Sequence, residues 1–136
     1  RSESKYLGEL RTESIHVRSS RTLLTDAPID NNGKGERFSP TDLLATSLAA
    51  CMITVMGIKA RSMGTDLNDV KMEVLKIMKS EPRRVGGIEI VFQIPDALLA
   101  IDNKTKTILK NTGETCPVFK SIHPDIEVKI DWGAWS

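Results

Sequence analysis

The longest uncharged run in the chain covers 16 residues, from Leu43 to Ile58, and is closed by Asp42 and Lys59. It falls short of the roughly 20 residues that a membrane-spanning helix needs. Its Ala, Ser, Thr and Gly residues favour close helix packing inside a protein, and its apolar residues occur on every side of a helix instead of on one stripe. The run therefore predicts a long, buried central helix.

The residues before this run form a helix start. Ser39 can cap the helix, Pro40 suits the first helical position, and Asp42 can complete a capping-box-like pair and favour the helix dipole. The pattern predicts a helix that continues to about Met63 and ends at Gly64.

Composition indicates one ordinary soluble domain over residues 1–136. The chain is 40% apolar and 27% charged, with 19 basic and 18 acidic side chains. A chain of this length buries roughly two thirds of its unfolded surface, enough to fold without disulfides or a structural metal. The near-zero net charge argues against a nucleic-acid partner. No apolar export segment is visible near Arg1, so we expect a cytoplasmic protein with no membrane partner.

The N-terminal third predicts a β-meander. Short apolar stretches at Lys5–Leu10, Ile15–Val17 and Thr22–Thr25 suggest strands, with a polar turn at Arg11–Glu13. The segment Asp26–Phe38 is dense in Gly, Asn, Asp and Pro and predicts a surface loop.

The C-terminal half predicts a β-hairpin, a second helix, a short helix and a last strand, so the whole is an α+β fold. The corresponding segments are hairpin strands at Val70–Val74 and Ile88–Ile94, a helix starting at Pro95–Asp96 and interrupted at Asn111–Glu114, a short helix starting at Pro117, and a strand at Ile126–Trp132.

Two cysteines, Cys51 and Cys116, lie 65 residues apart, which fits neither a CxxC motif nor zinc-ligand spacing. With only His16 and His123 as further soft ligands, no metal site is predicted. Cys51 lies inside the apolar helix, where an inert buried thiol is the simplest interpretation. A thiolate there needs a nearby cation.

Cys116 is different because it precedes Pro117 at a predicted helix start. Unpaired N–H groups and the positive end of a helix dipole favour a thiolate. The alternative is a weak structural cap, because the proline concerns turn geometry and not reactivity.

Taken together, two segments resemble the OsmC/Ohr family of organic hydroperoxide reductases. The first, FSPTDLL at 38–44, continues through Ala49-Ala50-Cys51, and the second is CPVFK at 116–120. The resemblance covers nearly the whole chain and rests on the conjunction of both segments at their separation. It implies an OsmC-like fold that forms an intertwined homodimer with two reaction centres near the subunit interface.

The chemistry that this resemblance implies is reduction of organic hydroperoxides by a thiol peroxidase in an antioxidant stress response. Cys51 would attack the peroxide and become a sulfenic acid, and Cys116 would resolve it as a disulfide. A lipoyl-type dithiol would reduce that disulfide, and no metal, haem or flavin would be bound.

The resemblance also implies an arginine that holds the thiolate. Arg11 is the best positional match, with Arg18, Arg21 and Arg37 as alternatives. For each of them a solvated surface charge is the simpler interpretation.

At one position the chain departs from the family pattern. Peroxidases of the family have a glutamate directly after the helix-start proline, whereas this chain has Thr41, which cannot form an ion pair with arginine. Asp42 lies about 100° further round the helix and is shorter, so capping is its simpler role. The departure leaves two alternatives open: an OsmC-fold dimer that binds a small apolar or electrophilic molecule near Cys51, and a dimer whose cysteines are both structural.

Overall fold

The computed structural model describes residues 1–136, and the chain divides into two compact units, Arg1–Leu44 and Ala45–Ser136. The first unit contains the predicted β-meander. Its antiparallel strands β1 (Ser2–Gly8), β2 (Arg11–His16) and β3 (Arg21–Asp26) pair in the order β1-β2-β3.

The turn between β1 and β2 lies two residues earlier than predicted. Glu9 and Leu10 form it, with positive φ angles of 53° and 62°, as in the two-residue hairpin loops whose twist matches the flanking strands. The Leu10 backbone N–H donates to the Tyr6 hydroxyl at 3.1 Å. The predicted turn at Arg11–Glu13 is therefore wrong, and Arg11 is the first residue of β2.

The loop after β3 agrees with the prediction, except that Asp26 is the last residue of the strand. The backbone N–H of Asp26 donates to the Phe38 carbonyl at 3.1 Å, so the two ends of the loop meet. Gly33 lies so close to the Ala27 backbone that a Cβ atom would come within 1.7 Å of the Ala27 oxygen. Only glycine fits this close approach.

The central helix α1 spans Pro40–Ser62, close to the prediction. Its predicted capping box is confirmed. The Ser39 hydroxyl oxygen accepts a hydrogen bond from the Asp42 backbone N–H at 3.0 Å, and the Asp42 carboxylate accepts one from the Ser39 N–H at 2.9 Å.

One face of α1 is buried within its own chain. The buried residues of this helix are Ala45, Leu48, Ala49, Met52, Met56 and Ala60. Leu44 and Ile58 are 38% and 66% exposed. The prediction that α1 is buried on every side therefore holds for only one face of the helix within the single chain. By length and composition α1 is apolar enough to cross a membrane, with a mean hydropathy of 1.8 in its most apolar window. The core helix of a soluble protein has the same signature.

The second unit contains a mixed sheet of three strands. Strands β4 (Lys71–Lys79) and β5 (Arg84–Gln93) form the predicted antiparallel hairpin, and β6 (Glu127–Asp131) pairs in parallel with β5. The helices α2 (Asn103–Gly113) and α3 (Pro117–Ser121) lie between β5 and β6 in the chain.

Helix α2 starts later and ends later than predicted. Asp96–Leu98 forms only a 3-10 turn. The Asp102 carboxylate caps α2 by accepting the Thr105 N–H at 2.7 Å, and the helix continues to Gly113. A Cβ atom on Gly113 would lie 2.8 Å from the sulfur of Met56, so α2 approaches α1 closely at this end.

Candidate active site

The structure brings the two cysteines together. Cys51 lies half-buried in the middle of α1 and packs against the hydrophobic core that includes Cys116. The Cys51 side chain lies close enough to the Cys116 thiol to raise its pKa, although 65 residues separate the two in sequence. Because Gly113 packs against α1 and Cys116 follows it by three residues, the end of α2 brings the second thiol to the first.

Cys116 occupies the predicted helix start. It is the N-cap of α3, where its sulfur accepts a hydrogen bond from the Phe119 backbone N–H at 3.4 Å. Pro117 is the first residue of the helix. The prediction of a cysteine at the cap is therefore confirmed.

The predicted preference of Cys116 for the thiolate is wrong. Its side chain is only 1% exposed, and this burial raises the pKa of the thiol above its ordinary value. The hydrogen bond from Phe119 acts in the opposite direction and is outweighed, while the neighbouring Cys51 thiol raises the pKa further. Cys116 therefore remains a protonated thiol at neutral pH.

A second group of functional side chains lies in the first unit, around Arg11. Arg11 and Asp26 are directly opposite each other on β2 and β3. The Arg11 Nε donates to Asp26 Oδ1 at 2.6 Å, and Nη2 donates to Asp26 Oδ2 at 2.8 Å. Such a two-pronged pair fixes the plane of the guanidinium as well as its position.

Glu36 completes this group. Its carboxylate lies 3.4 Å from Arg11 Nη2, and its backbone N–H donates to Asp26 Oδ2 at 3.1 Å. The Asp26 side chain is 1% exposed, that of Arg11 is 23% exposed, and that of Glu36 is 65% exposed. Asp26 thus bonds both the arginine and the loop.

The hydrogen bonds from Arg11 are the main cause that lowers the pKa of Asp26 below its ordinary value, against the opposing effect of burial. The same hydrogen bonds raise the pKa of Arg11. Both side chains are therefore charged throughout the neutral range.

This ion pair predicts a pH-dependent effect of the Asp26→Asn substitution. A carboxylate whose pKa is lowered by folding stabilises the fold above its unfolded-state pKa, and that contribution is lost as the pH falls through the folded-state pKa. We expect the difference in unfolding free energy between wild type and Asp26→Asn to be widest at neutral pH and to narrow in acid. Urea unfolding at a series of pH values measures it. A difference that is the same at every pH would contradict the role of the charge.

Beside this group lies a cleft of about 640 Å³ within the first unit. Its lining includes the apolar side chains of Leu23, Leu24 and Phe38 together with Glu36 and Arg37. Of the alternative arginines, Arg37 lines this cleft. Arg18 and Arg21 are exposed near the turn between β2 and β3.

The two helix-start residues considered as supporting groups lie in the first turn of α1. The Thr41 hydroxyl is 3.2 Å from that of Ser39, and Asp42 forms the capping box described above. Elsewhere, the structure places no three His, Cys, Asp or Glu side chains in one group that could hold a metal ion.

Comparison with known proteins decides the family. Residues 33–131 match the family model of the OsmC-like proteins. The chain belongs to this family. A similar solved structure is that of a Psychrobacter arcticus protein provisionally described as an osmotic stress induced and detoxification response protein. It is 52% identical to this OsmC-like chain, covers 96% of it and 93% of its own length, and superimposes with a TM-score of 0.90.

More distant members share the fold of this OsmC-like protein. The organic hydroperoxide resistance protein OsmC of Legionella pneumophila is 20% identical, with a TM-score of 0.70 and coverage of 96% of this chain and 95% of its own. The organic hydroperoxide resistance protein OhrB of Bacillus subtilis is 17% identical, with a TM-score of 0.65 and the same coverage. No protein of curated function matches the chain.

Sequence reasoning did not find Asp26 or Glu36. The signal was available in the strand register, because the turn between β2 and β3 pairs His16 with Arg21 and the same register places Arg11 opposite Asp26. The structure places Cys51 beside Cys116 in the second unit and pairs Arg11 with Asp26 in the first. The contact of Arg11 with a thiolate stays a prediction.

Proposed function

We propose that this OsmC-like protein is a thiol peroxidase that reduces organic hydroperoxides through Cys51 and Cys116. The observation that most supports it is the proximity of the two thiols, which pack in one hydrophobic core, since a disulfide requires its sulfurs to come into bonding distance. The names of the Legionella and Bacillus relatives, both organic hydroperoxide resistance proteins, point to the same substrate class.

The proposed cycle has two steps in the protein. The Cys51 thiolate attacks the terminal peroxide oxygen, so an S–O bond forms, the O–O bond breaks, and the alkoxide leaves and takes a proton from solvent to become the alcohol. The Cys116 sulfur then attacks the sulfenic sulfur of Cys51. An S–S bond forms, and the hydroxyl leaves as water with the proton of the Cys116 thiol.

The burial of Cys116 suits the second role. A thiol whose pKa is raised stays protonated and does not compete for the peroxide, because the thiolate is the nucleophile. Its proton is also the one that the departing hydroxyl requires. Cys51 is the more exposed of the two thiols and is therefore the one proposed to meet the peroxide.

We assign Arg11 the role of stabilising the Cys51 thiolate, by resemblance to the family. In this chain Asp26 and Glu36 bind the arginine, and Thr41 occupies the position of the family glutamate. Asp42 caps the start of α1, the helix that carries Cys51, and in this way supports the site.

We propose further that the active form is a homodimer. The apolar Leu44 and Ile58 side chains of α1 are exposed in the single chain, and burying such surface is the main favourable term in association. A dithiol of the lipoyl type would reduce the Cys51–Cys116 disulfide in the cytoplasm, with no bound cofactor.

Thiol counting by intact mass tests the proposed function. Reduced protein receives one equivalent of cumene hydroperoxide and, in a parallel sample, one of hydrogen peroxide. We expect rapid loss of two hydrogens per chain and of both free thiols, faster with the organic peroxide. Unchanged thiols after treatment with either peroxide would overturn the proposal.

The same experiment addresses the second candidate, a dimer that binds a small apolar or electrophilic molecule near Cys51 without peroxidase turnover. The threonine at position 41 favours it. Slow reaction with peroxide, together with a ligand that raises the melting temperature, would support this candidate instead.

A further inference from the structure

We infer that Asp26 is a positioning residue that fixes the guanidinium of Arg11 for peroxide reduction and acts on the reaction only through that arginine. The inference rests on the proposed function, in which Arg11 assists Cys51. It concerns a residue outside the two cysteine motifs, at the end of the N-terminal meander.

The hydrogen bonds of Arg11 show which donors remain for the reaction. A guanidinium has five N–H groups in a rigid, planar fork. Asp26 accepts from Nε and Nη2, and Glu36 lies beside Nη2. The two N–H groups of Nη1 have no acceptor in the chain, so they remain available to a thiolate or a peroxide oxygen.

Asp26 is itself held from three directions. Its carboxylate accepts two bonds from Arg11 and one from the Glu36 backbone N–H, and its own N–H donates to the Phe38 carbonyl. With 1% exposure it has little freedom to move. A buried acceptor fixed in this way orients the side chain that it binds, as supporting residues do around other reactive groups.

Net charge alone would give Asp26 the opposite effect. Asp26 and Glu36 bring two negative charges to one arginine, so the group as a whole does not attract a thiolate by charge. If charge were the only influence, removing the Asp26 carboxylate would make the surroundings more positive and speed the reaction. If Asp26 positions Arg11, its removal slows the reaction.

The test compares two isosteric substitutions that each remove one negative charge. Asp26→Asn replaces one carboxylate oxygen with an NH₂ group. This group is a donor and cannot accept a hydrogen bond from Nε or Nη2 of Arg11, so one of the two bonds is lost. Glu9→Gln is the control, because Glu9 pairs with Lys34 at 2.6 Å and forms no hydrogen bond with Arg11, although its charge acts on the arginine. The readout is the second-order rate constant for disulfide formation with cumene hydroperoxide in a single turnover.

We expect Asp26→Asn to slow this step about 10- to 100-fold, the range that a small misplacement of a reacting group produces. Glu9→Gln should be at least as fast as wild type. In an Arg11→Gln background, Asp26→Asn should cause no further loss, since the two residues act as one unit. An Asp26→Asn rate equal to or above wild type would overturn the inference.

A merely structural role predicts a different result. Asp26→Asn would then slow the reaction by the same factor with Arg11 or Gln at position 11, and this outcome also overturns the inference. Melting curves confirm that each variant is folded at the assay temperature. If Asp26→Asn does not fold, Asp26→Glu replaces it: this variant keeps the charge but moves the carboxylate by one methylene, and a wild-type rate would contradict positioning.

The two proposals fail in different ways. A wild-type protein that forms no disulfide with peroxide overturns the proposed function, and this inference with it. A wild-type protein that reacts normally, while Asp26→Asn reacts equally fast, overturns only the positioning role.

Discussion

The Cys51→Ser variant is expected to consume no organic hydroperoxide above the background rate. The serine hydroxyl stays protonated at neutral pH and does not attack a peroxide, so no sulfenic acid forms and Cys116 has nothing to resolve. Because burial raises the pKa of Cys116, the remaining thiol is a poor replacement nucleophile. Loss of cumene hydroperoxide with an excess of a dithiol measures the effect.

A matched control lies on the same helix. Thr54 is one turn beyond Ala50, exposed, and its hydroxyl donates to the Ala50 carbonyl at 2.7 Å. Thr54→Ser keeps this hydrogen bond and should react at the wild-type rate. If Cys51→Ser still consumes peroxide as fast as wild type, the chemistry takes place elsewhere and the proposed function is wrong.

The central helix could be predicted from the sequence because two independent signals agree there. An uncharged run sets its length, and Ser39, Pro40 and Asp42 set its start. Both are local properties of the chain. The exposure of Ile58 could not be predicted in the same way, since it depends on what packs against each face of the helix.

The prediction of the first hairpin is wrong in detail for a local reason. Glu9 and Leu10 both adopt positive φ angles, a conformation that usually indicates Gly, Asn or Asp. Without that signal the sequence favours a turn at the polar residues after Leu10. The error shifted Arg11 from strand to turn and hid its pairing with Asp26.

The cysteine pair shows the limit of sequence reasoning most clearly. The N-cap position of Cys116 follows from local residues and is confirmed. Its contact with Cys51 depends on the packing of α2 against α1, which the chain reaches only after folding. Burial in that packed region also reverses the expected effect of the helix start on the pKa of Cys116, because desolvation of the thiolate costs more than the backbone N–H groups of Phe119 and Val118 return.

The Cys116→Ser variant is expected to react once with organic hydroperoxide and then stop. Cys51 should still become a sulfenic acid, but no second thiol is present to displace its hydroxyl. Intact mass should show addition of one oxygen, about 16 Da, and then further oxygens as excess peroxide over-oxidises the sulfur. Turnover with a dithiol should fall to the rate at which that dithiol attacks the sulfenic acid directly.

Serine is a suitable replacement because its hydroxyl can also cap α3 by accepting the Phe119 N–H. The fold is therefore retained while the redox function is removed. Cys116→Ala separates the redox role from the capping role. It should give the same oxidised products as Cys116→Ser, and its free energy of unfolding should be about 1 kcal/mol lower than that of Cys116→Ser because the cap is lost. A Cys116→Ser protein that turns over as fast as wild type, without over-oxidation, would show that Cys51 completes the cycle alone and that the buried thiol is structural.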